Sequence, residues 1–155
     1  MKIINFLIIT SFVIIVDQFL KNFFSKILSL GESISVIHNF FHITLVHNTG
    51  IAFGLFQGQN LVFVIVSFSA ALLLSYNLIR YKRSNNLSHS YTIAFALILG
   101  GAISNLLNRM IYGYVIDFID FRVWPVFNIA DSAITIGAVL IVIDLIRKEG
   151  HHQSI

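Results

Sequence analysis

Four stretches of the chain stay apolar for long enough to cross a bilayer, and most polar residues fall between them. A helix needs roughly 20 mostly apolar residues to span the hydrocarbon core. The stretches run from about Ile3 to Leu20, Leu61 to Ile79, Tyr91 to Leu107 and Ala130 to Ile146. Between the first two, from about Lys21 to Asn60, the pattern changes. The segment SISVIHNFFHITLVHN is dense in β-branched and aromatic residues. It predicts one or two strands, ending at the turn signal Asn48-Thr49-Gly50. Gly50, Gly54 and Gly58 then interrupt any long helix, while Phe53, Leu55 and Phe56 suit the membrane interface. Val115 to Val123 is too polar for a span and rich in the same strand-forming types. As a strand it puts Asp117 and Asp120 on opposite faces; as a helical turn it puts them on one. Pro125 ends the element in either case, and Trp124 suits the interface. No internal repeat or flexible linker divides the chain, so a single domain over residues 1–155 is expected.

Composition narrows the class. The 155 residues are 57% hydrophobic and only 11% charged, with a mean hydropathy of +0.85. A soluble domain carries about a quarter charged residues, so the polar cover for a soluble surface is missing. The reading is a mainly α, polytopic membrane protein. The absence of cysteine excludes disulfides and thiolate metal sites. The net charge of +3 comes with no basic stripe interleaved with aromatics, so no nucleic-acid partner is expected. Lys2 and the run Ile3–Val16 resemble a signal peptide, but Asp17-Gln18 and a further amphipathic turn follow instead of a small-residue cleavage site. A retained span is the better reading. Lys2, Arg80, Lys82, Arg83, Arg147 and Lys148 lie on one side, against Lys21, Lys26, Arg109 and Arg122 on the other. The positive-inside rule then puts both termini in the cytoplasm and the first loop outside.

Ionisable residues among such spans are candidates for function, and each has a plainer role to beat. Asp17 and Lys21 are spaced for a helical salt bridge at the outer boundary, a structural role. Asp144 pairs in the same way with Arg147 and Lys148. Asn105 and Arg109 share a face at the outer end of the third span, and Gly100-Gly101 before them would let helices approach closely. Arg109 either snorkels to headgroups or orients a carboxylate near it. His38, His42 and His47 offer a metal triad in principle, but no carboxylate pattern accompanies them, and no metal is expected.

The acidic residues of YVIDFIDFRVWPVFNIADSA carry the strongest signal. Asn128 reads as a helix N-cap with Asp131 in the first turn, which accounts for Asp131 by capping alone. It does not account for Asp117. One chain reversal between them would return both carboxylates to the same depth. There they would repel, and one would hold a proton near neutral pH. That is the arrangement by which an aspartic protease activates water. A proton- or cation-handling transporter would instead place acids mid-span.

The same residues carry a resemblance. The chain is similar to the bacterial lipoprotein signal peptidases (signal peptidase II) across nearly its whole length. VDQFLK closes the first span as in that family, and HNTGIAFG resembles its N-T-G-A-A-F-G loop. GGAISNLLNR resembles G-G-x-x-G-N-x-x-D-R, while VIDFI and WPVFNIADS resemble V-x-D-F-I and W-P-x-F-N-x-A-D-S. The resemblance implies four transmembrane helices with a small extracytoplasmic β-cradle and a short mobile helix. It implies that Asp117 and Asp131 are the catalytic pair, that Asn48, Gly50, Asn105, Arg109 and Asn128 line or brace the site, and that Asp17 and Lys21 give structural support. It implies a monomer in the bacterial inner membrane, needing no cofactor, that meets membrane lipid and cleaves diacylglyceryl prolipoproteins before the modified cysteine. Ile51, Ser104 and Asn108 depart from the pattern at alanine, glycine and aspartate positions. The loss of a negative charge at Asn108 would leave Arg109 freer to pair with Asp117 or substrate.

Overall fold

The computed structural model describes residues 3–50, 64, 65, 69, 76 and 89–152. The second apolar stretch, from about Leu61 to Ile79, lies outside the described residues apart from helical Val64, Ile65, Ser69 and Tyr76. So do Phe53, Leu55 and Phe56 and the Gly54 and Gly58 positions. Three helices are described: α1 (Ile3–Ile27), α2 (His89–Tyr112) and α3 (Ile129–His152). Each is long and apolar enough to cross a membrane.

α1 runs well past the end that its apolar pattern predicts. At a rise of 1.5 Å per residue its 25 residues span about 37 Å. Phe19, Phe23 and Ile27 continue the outward apolar face of Ile4, Ile8, Phe12 and Ile15, so the helix is not broken where Asp17 and Lys21 enter it. Lys21 is therefore a buried helical residue, not the first residue of an outer loop.

α2 is central and packs on both α1 and α3. Small residues permit this. A Cβ on Gly100 would come within 2.9 Å of Val13 Cβ on α1, and one on Gly101 would collide with the carbonyl oxygen of Ala130 on α3. At one end the helices enclose Phe6, Tyr91, Phe95 and Ala96. At the other, Leu28, Leu45 and Ile116 pack beneath the sheet.

The expected strands are two, forming a hairpin. β1 (Ser33–Ile37) and β2 (Phe41–Asn48) pair antiparallel around a turn that contains Asn39, with φ of 58°. β3 (Val115–Asp120) pairs antiparallel on the other edge of β2, giving the order β1-β2-β3. Of the two readings of the Asp117 segment, the strand holds. α2 delivers β3 through Gly113, whose φ of 80° ends the helix while its N–H bonds to Arg109 O at 3.1 Å.

β3 ends at Asp120, five residues before Pro125. Asp120 Oδ1 accepts the N–H of Arg122 at 2.8 Å, closing a side-chain turn with Arg122 at φ of 65°. That turn, not the proline, stops the strand. The chain then doubles back, and Phe127 pairs with Ile119 through N–H···O bonds of 2.8 and 3.1 Å. This pairing sets Asn128 and the start of α3 beside β3.

Replacing Gly101 with valine forces α2 from α3 at the point where β3 and α3 must meet. Overpacking of this kind costs about 1–3 kcal/mol. A lower melting temperature of the detergent-solubilised variant is expected; an unchanged one would show that the helices do not touch there.

Candidate active site

Asp117 sits mid-strand on β3, opposite Val46 of β2. Strand periodicity turns it to one face of the sheet and Asp120 to the other. Asp117 is 1% exposed and both oxygens are used. Asn48 Nδ2 donates to Oδ2 at 2.9 Å and Asn128 Nδ2 to Oδ1 at 2.6 Å. The Asn48 amide is aimed by its own backbone, because Gly50 N–H bonds to Asn48 Oδ1 at 3.0 Å and leaves the NH₂ end for Asp117.

Asp131 lies in the first turn of α3, and the expected N-cap is present. Asn128 Oδ1 accepts the N–H of Asp131 at 2.8 Å, and Asp131 Oδ2 accepts the N–H of Asn128 at 3.2 Å. This is a reciprocal capping box. Capping leaves Oδ1 over, and it accepts Asn105 Nδ2 at 2.8 Å. Asp131 thus caps its helix and faces Asp117 across one cleft of about 230 Å³. Asn48, Gly50, Arg109, Trp124, Pro125, Val126 and Phe127 complete its lining.

The structure therefore brings Asp117, Asp131, Asn48, Gly50, Asn105, Arg109 and Asn128 together. Arg109 donates from NH2 to the carbonyl of Gly50 at 3.3 Å. Asp17 and Lys21 form the expected ion pair at 2.7 Å, but fully buried rather than at a wet boundary. Lys21 reaches the site through Asn105 Oδ1 at 2.8 Å. Asp120 stays apart, accepting Thr44 Oγ1 at 2.7 Å and facing the Arg122 guanidinium at 3.7 Å. The three histidines do not form a triad: His38 is in the hairpin turn, His42 on β2, and His47 stacks on Tyr114 at 3.9 Å. Among the described residues no three acidic or histidine side chains are grouped to hold a metal. The pairing expected between Asp144 and Arg147 or Lys148 involves side chains outside the described ones.

Gln18 carries no motif signal of its own in the sequence, yet it links the helices. Its Nε2 donates to Ser104 Oγ at 2.8 Å and its Oε1 accepts Asn108 Nδ2 at 3.1 Å. Its place one residue after Asp17, on an otherwise apolar helix, was the available signal.

Two largely buried carboxylates in one cleft cannot both ionise freely. Burial, reinforced by the charge of Asp131, pushes the Asp117 carboxyl up to about 7, against the hydrogen bonds of Asn48 and Asn128 and the charge of Lys21. For Asp120, burial is outweighed by the hydrogen bonds from Thr44 and from Arg122 N–H and by the Arg122 charge, and its carboxyl lies below the ordinary value. Only the first pair is poised to hold one shared proton near neutral pH.

Comparison with known proteins gives this arrangement a family. The profile described as Signal peptidase (SPase) II matches residues 9–147. The chain belongs to the signal peptidase II family. A lipoprotein signal peptidase of Caldanaerobacter subterraneus subsp. tengcongensis is 43% identical over 145 residues, 93% of this chain and 97% of that one. One from Halothermothrix orenii is 39% identical over 142 residues, 92% and 95% of the two chains. A solved bacterial membrane enzyme structure, determined in meso at 2.3 Å, superposes with a TM-score of 0.87 at 33% identity, covering 95% of this chain and 90% of that one. This signal peptidase II is thus a peptidase with a membrane-enzyme fold of helices and a small antiparallel sheet. The transport reading gains no support from these relatives. Two of the three departures from the family pattern have a local account. Ser104 bonds to Asp17 Oδ2 at 2.7 Å, and Asn108 bonds to Gln18 and accepts Ile116 N–H at 3.4 Å. Asn108 is thus engaged with α1 and β3. Ile51 lies outside the described residues.

A carboxyl raised from 3.8 to about 7 makes the folded state bind more protons than the unfolded one between those values. Stability must then fall as pH rises across that window. Asp117→Asn removes the slope. The melting temperature of the variant minus that of the wild type should climb from about pH 4 to pH 7 and then level off. A flat difference would show that Asp117 titrates in the ordinary carboxylate range.

Proposed function

We propose that this signal peptidase II hydrolyses the signal peptide from diacylglyceryl prolipoproteins, just before the lipid-modified cysteine, with Asp117 and Asp131 activating the water. The single observation that carries this reading is the convergence of the two carboxylates in one cleft, each held by amide donors. In the resting pair the shared proton is on Asp117, the buried strand residue, and Asp131 is ionised. Asp131 takes a proton from water while the water oxygen bonds to the scissile carbonyl carbon. Asp117 gives its proton to the carbonyl oxygen. The tetrahedral gem-diol then collapses: Asp131 gives its proton to the cysteine nitrogen as the C–N bond breaks, and Asp117 takes a proton back from the hydroxyl that becomes a product carboxyl oxygen. The titration belongs to the pair as a unit.

Asn48, Gly50, Asn105, Arg109 and Asn128 brace or line the cleft in this reading. The exposed apolar faces of α1 and α3 suit a bacterial inner-membrane protein, and the lipid-anchored substrate would arrive sideways from the bilayer. Four spans, with the second over about Leu61 to Ile79, both termini cytoplasmic and the cleft near the outer surface, complete the proposed topology. One chain supplies every residue of the proposed site, which favours a functional monomer.

Turnover of a synthetic diacylglyceryl prolipoprotein, with the product read by mass, tests this. Asp117→Asn and Asp131→Asn should each lose at least about a thousandfold in kcat/KM while remaining folded. Asp120→Asn should stay within about tenfold of wild type. Chelator should leave turnover unchanged, whereas a metallo-hydrolase built on His38, His42 and His47 would lose it. Near-normal turnover by either member of the pair, or a dead but folded Asp120 variant, would mean that the wrong carboxylates were chosen.

A further inference from the structure

Asp17 and Lys21 are 0% and 1% exposed and touch all three described helices. Asp17 Oδ1 accepts the backbone N–H of Ala130 at 2.9 Å, the residue before Asp131. Its Oδ2 accepts Ser104 Oγ and the Lys21 ammonium, both at 2.7 Å. The ammonium continues to Asn105 Oδ1 at 2.8 Å. An ammonium only donates, so it fixes the oxygen end of Asn105 and commits the other end to Asp131 Oδ1 at 2.8 Å. Asn128 Nδ2 shares the same Asn105 oxygen at 3.1 Å while it donates to Asp117.

We propose that the Asp17–Lys21 pair positions the two carboxylates for the reaction, Asp17 by holding the backbone one residue before Asp131 and Lys21 by orienting the amide that donates to it. Both residues are positioning residues, and the proposal rests on the assignment of Asp117 and Asp131 made above. Stability alone is a weak reason for such a pair, because desolvation offsets most of the attraction of a buried ion pair. Two observations favour a role in the site. The pair approaches Asp131 twice, through the backbone and through a side chain. Lys21 also joins both faces of the sheet. With Gln18, His47 and Asn108 it lines a separate cavity of about 310 Å³, on the side of β2 and β3 away from the cleft. Among the described residues, the charged groups acting on the carboxylates are Asp17 and Lys21 from α1 and Arg109 from α2, with His47 from β2 on the far face. The Lys21 charge acts on Asp117 to favour its ionised form.

The test compares Lys21→Gln, which removes the charge, with Lys21→Arg, which keeps it. Folding is followed by thermal melting in detergent, and turnover of diacylglyceryl prolipoprotein is followed against pH. For folded Lys21→Gln, kcat should fall at least about tenfold with KM within about twofold. The acid limb of kcat/KM should move up by about one pH unit, since a positive charge beside two carboxyls is lost. In Lys21→Arg the limb should stay at the wild-type pH. A folded Lys21→Gln enzyme with wild-type kcat and limb overturns the proposal, as does a loss of activity that only tracks the loss of folded protein. If Lys21→Gln does not fold, Asn105→Leu decides by the same readings. It keeps both charges of the ion pair and removes the amide between Lys21 and Asp131 without adding a carboxylate, so the same loss and limb shift sustain the proposal, and wild-type behaviour overturns it. Asp117→Asn and Asp131→Asn run alongside. If they are active, the assignment of the pair has failed; if they are dead while the Lys21 and Asn105 variants behave as wild type, only the positioning role has failed.

Discussion

A charged or polar group kept from water must find its partners within the protein, and the rest of this structure is arranged around that requirement. Among the described residues, the largest fully buried side chains are Lys21, Asn108, Asn128, Asp17, Asp117 and Ser104. None is apolar. Apolar side chains such as Ile8, Phe12, Ile15, Val139 and Val142 lie on the outside instead. Between helices in lipid there is little hydrophobic drive, so close packing and interhelical hydrogen bonds must hold them. Here they are spatially coupled. Gly100 and Gly101 bring α1 and α3 up to α2, and over the next two turns Ser104, Asn105 and Asn108 bond to Asp17, Lys21, Gln18, Asn128 and Asp131. The same layer that joins the helices holds the two carboxylates.

Much of this was legible in the sequence because it is local. Three apolar runs became helices, the β-branched segments became strands, and Asn128 with Asp131 formed a cap, since periodicity and capping act over a few residues. The meeting of Asp117 and Asp131 was legible because a single reversal separates them. What escaped was set by distant partners. The apolar pattern faltered at Asp17 and Lys21, so the first span was ended at Leu20. Nothing nearby shows that Asn105, 84 positions away, satisfies Lys21 within an unbroken helix. Gln18 escaped for the same reason, since its partners Ser104 and Asn108 lie on α2. The end of β3 was a different kind of miss. Asp120-Phe121-Arg122 carries a side-chain turn signal, but the more conspicuous Pro125 drew the boundary.

The burial of Lys21 also changes an argument made from charge alone. By sequence alone it counts among the outer basic residues that oppose a cytoplasmic placement of the termini. A lysine paired with Asp17 and 1% exposed is not a loop charge in the sense of the positive-inside rule. Setting it aside leaves Lys26, Arg109 and Arg122 on that side, and Arg109 is itself turned inward to Gly50. The charge bias on which the proposed cytoplasmic termini rest is correspondingly larger.

The capping role of Asp131 first stood as a rival to a chemical one, because either accounts for an aspartate at that position. In the fold they are parts of one arrangement. The N-terminus of α3 presents backbone N–H groups and the positive end of the helix dipole, an environment that favours an anion. Asp117 meets that helix end only through the Asn128 side chain; it lies on a strand and is nearly inaccessible to water. Two carboxylates of the same chemistry are thereby given unequal surroundings, one suited to charge and one to a proton. A symmetric pair would share its proton without preference. In the proposed mechanism the cap contributes the asymmetry by which one carboxylate would act as base and its neighbour as acid. The capping that accounts for Asp131 structurally is thus also what would suit it to the ionised role of the proposed mechanism.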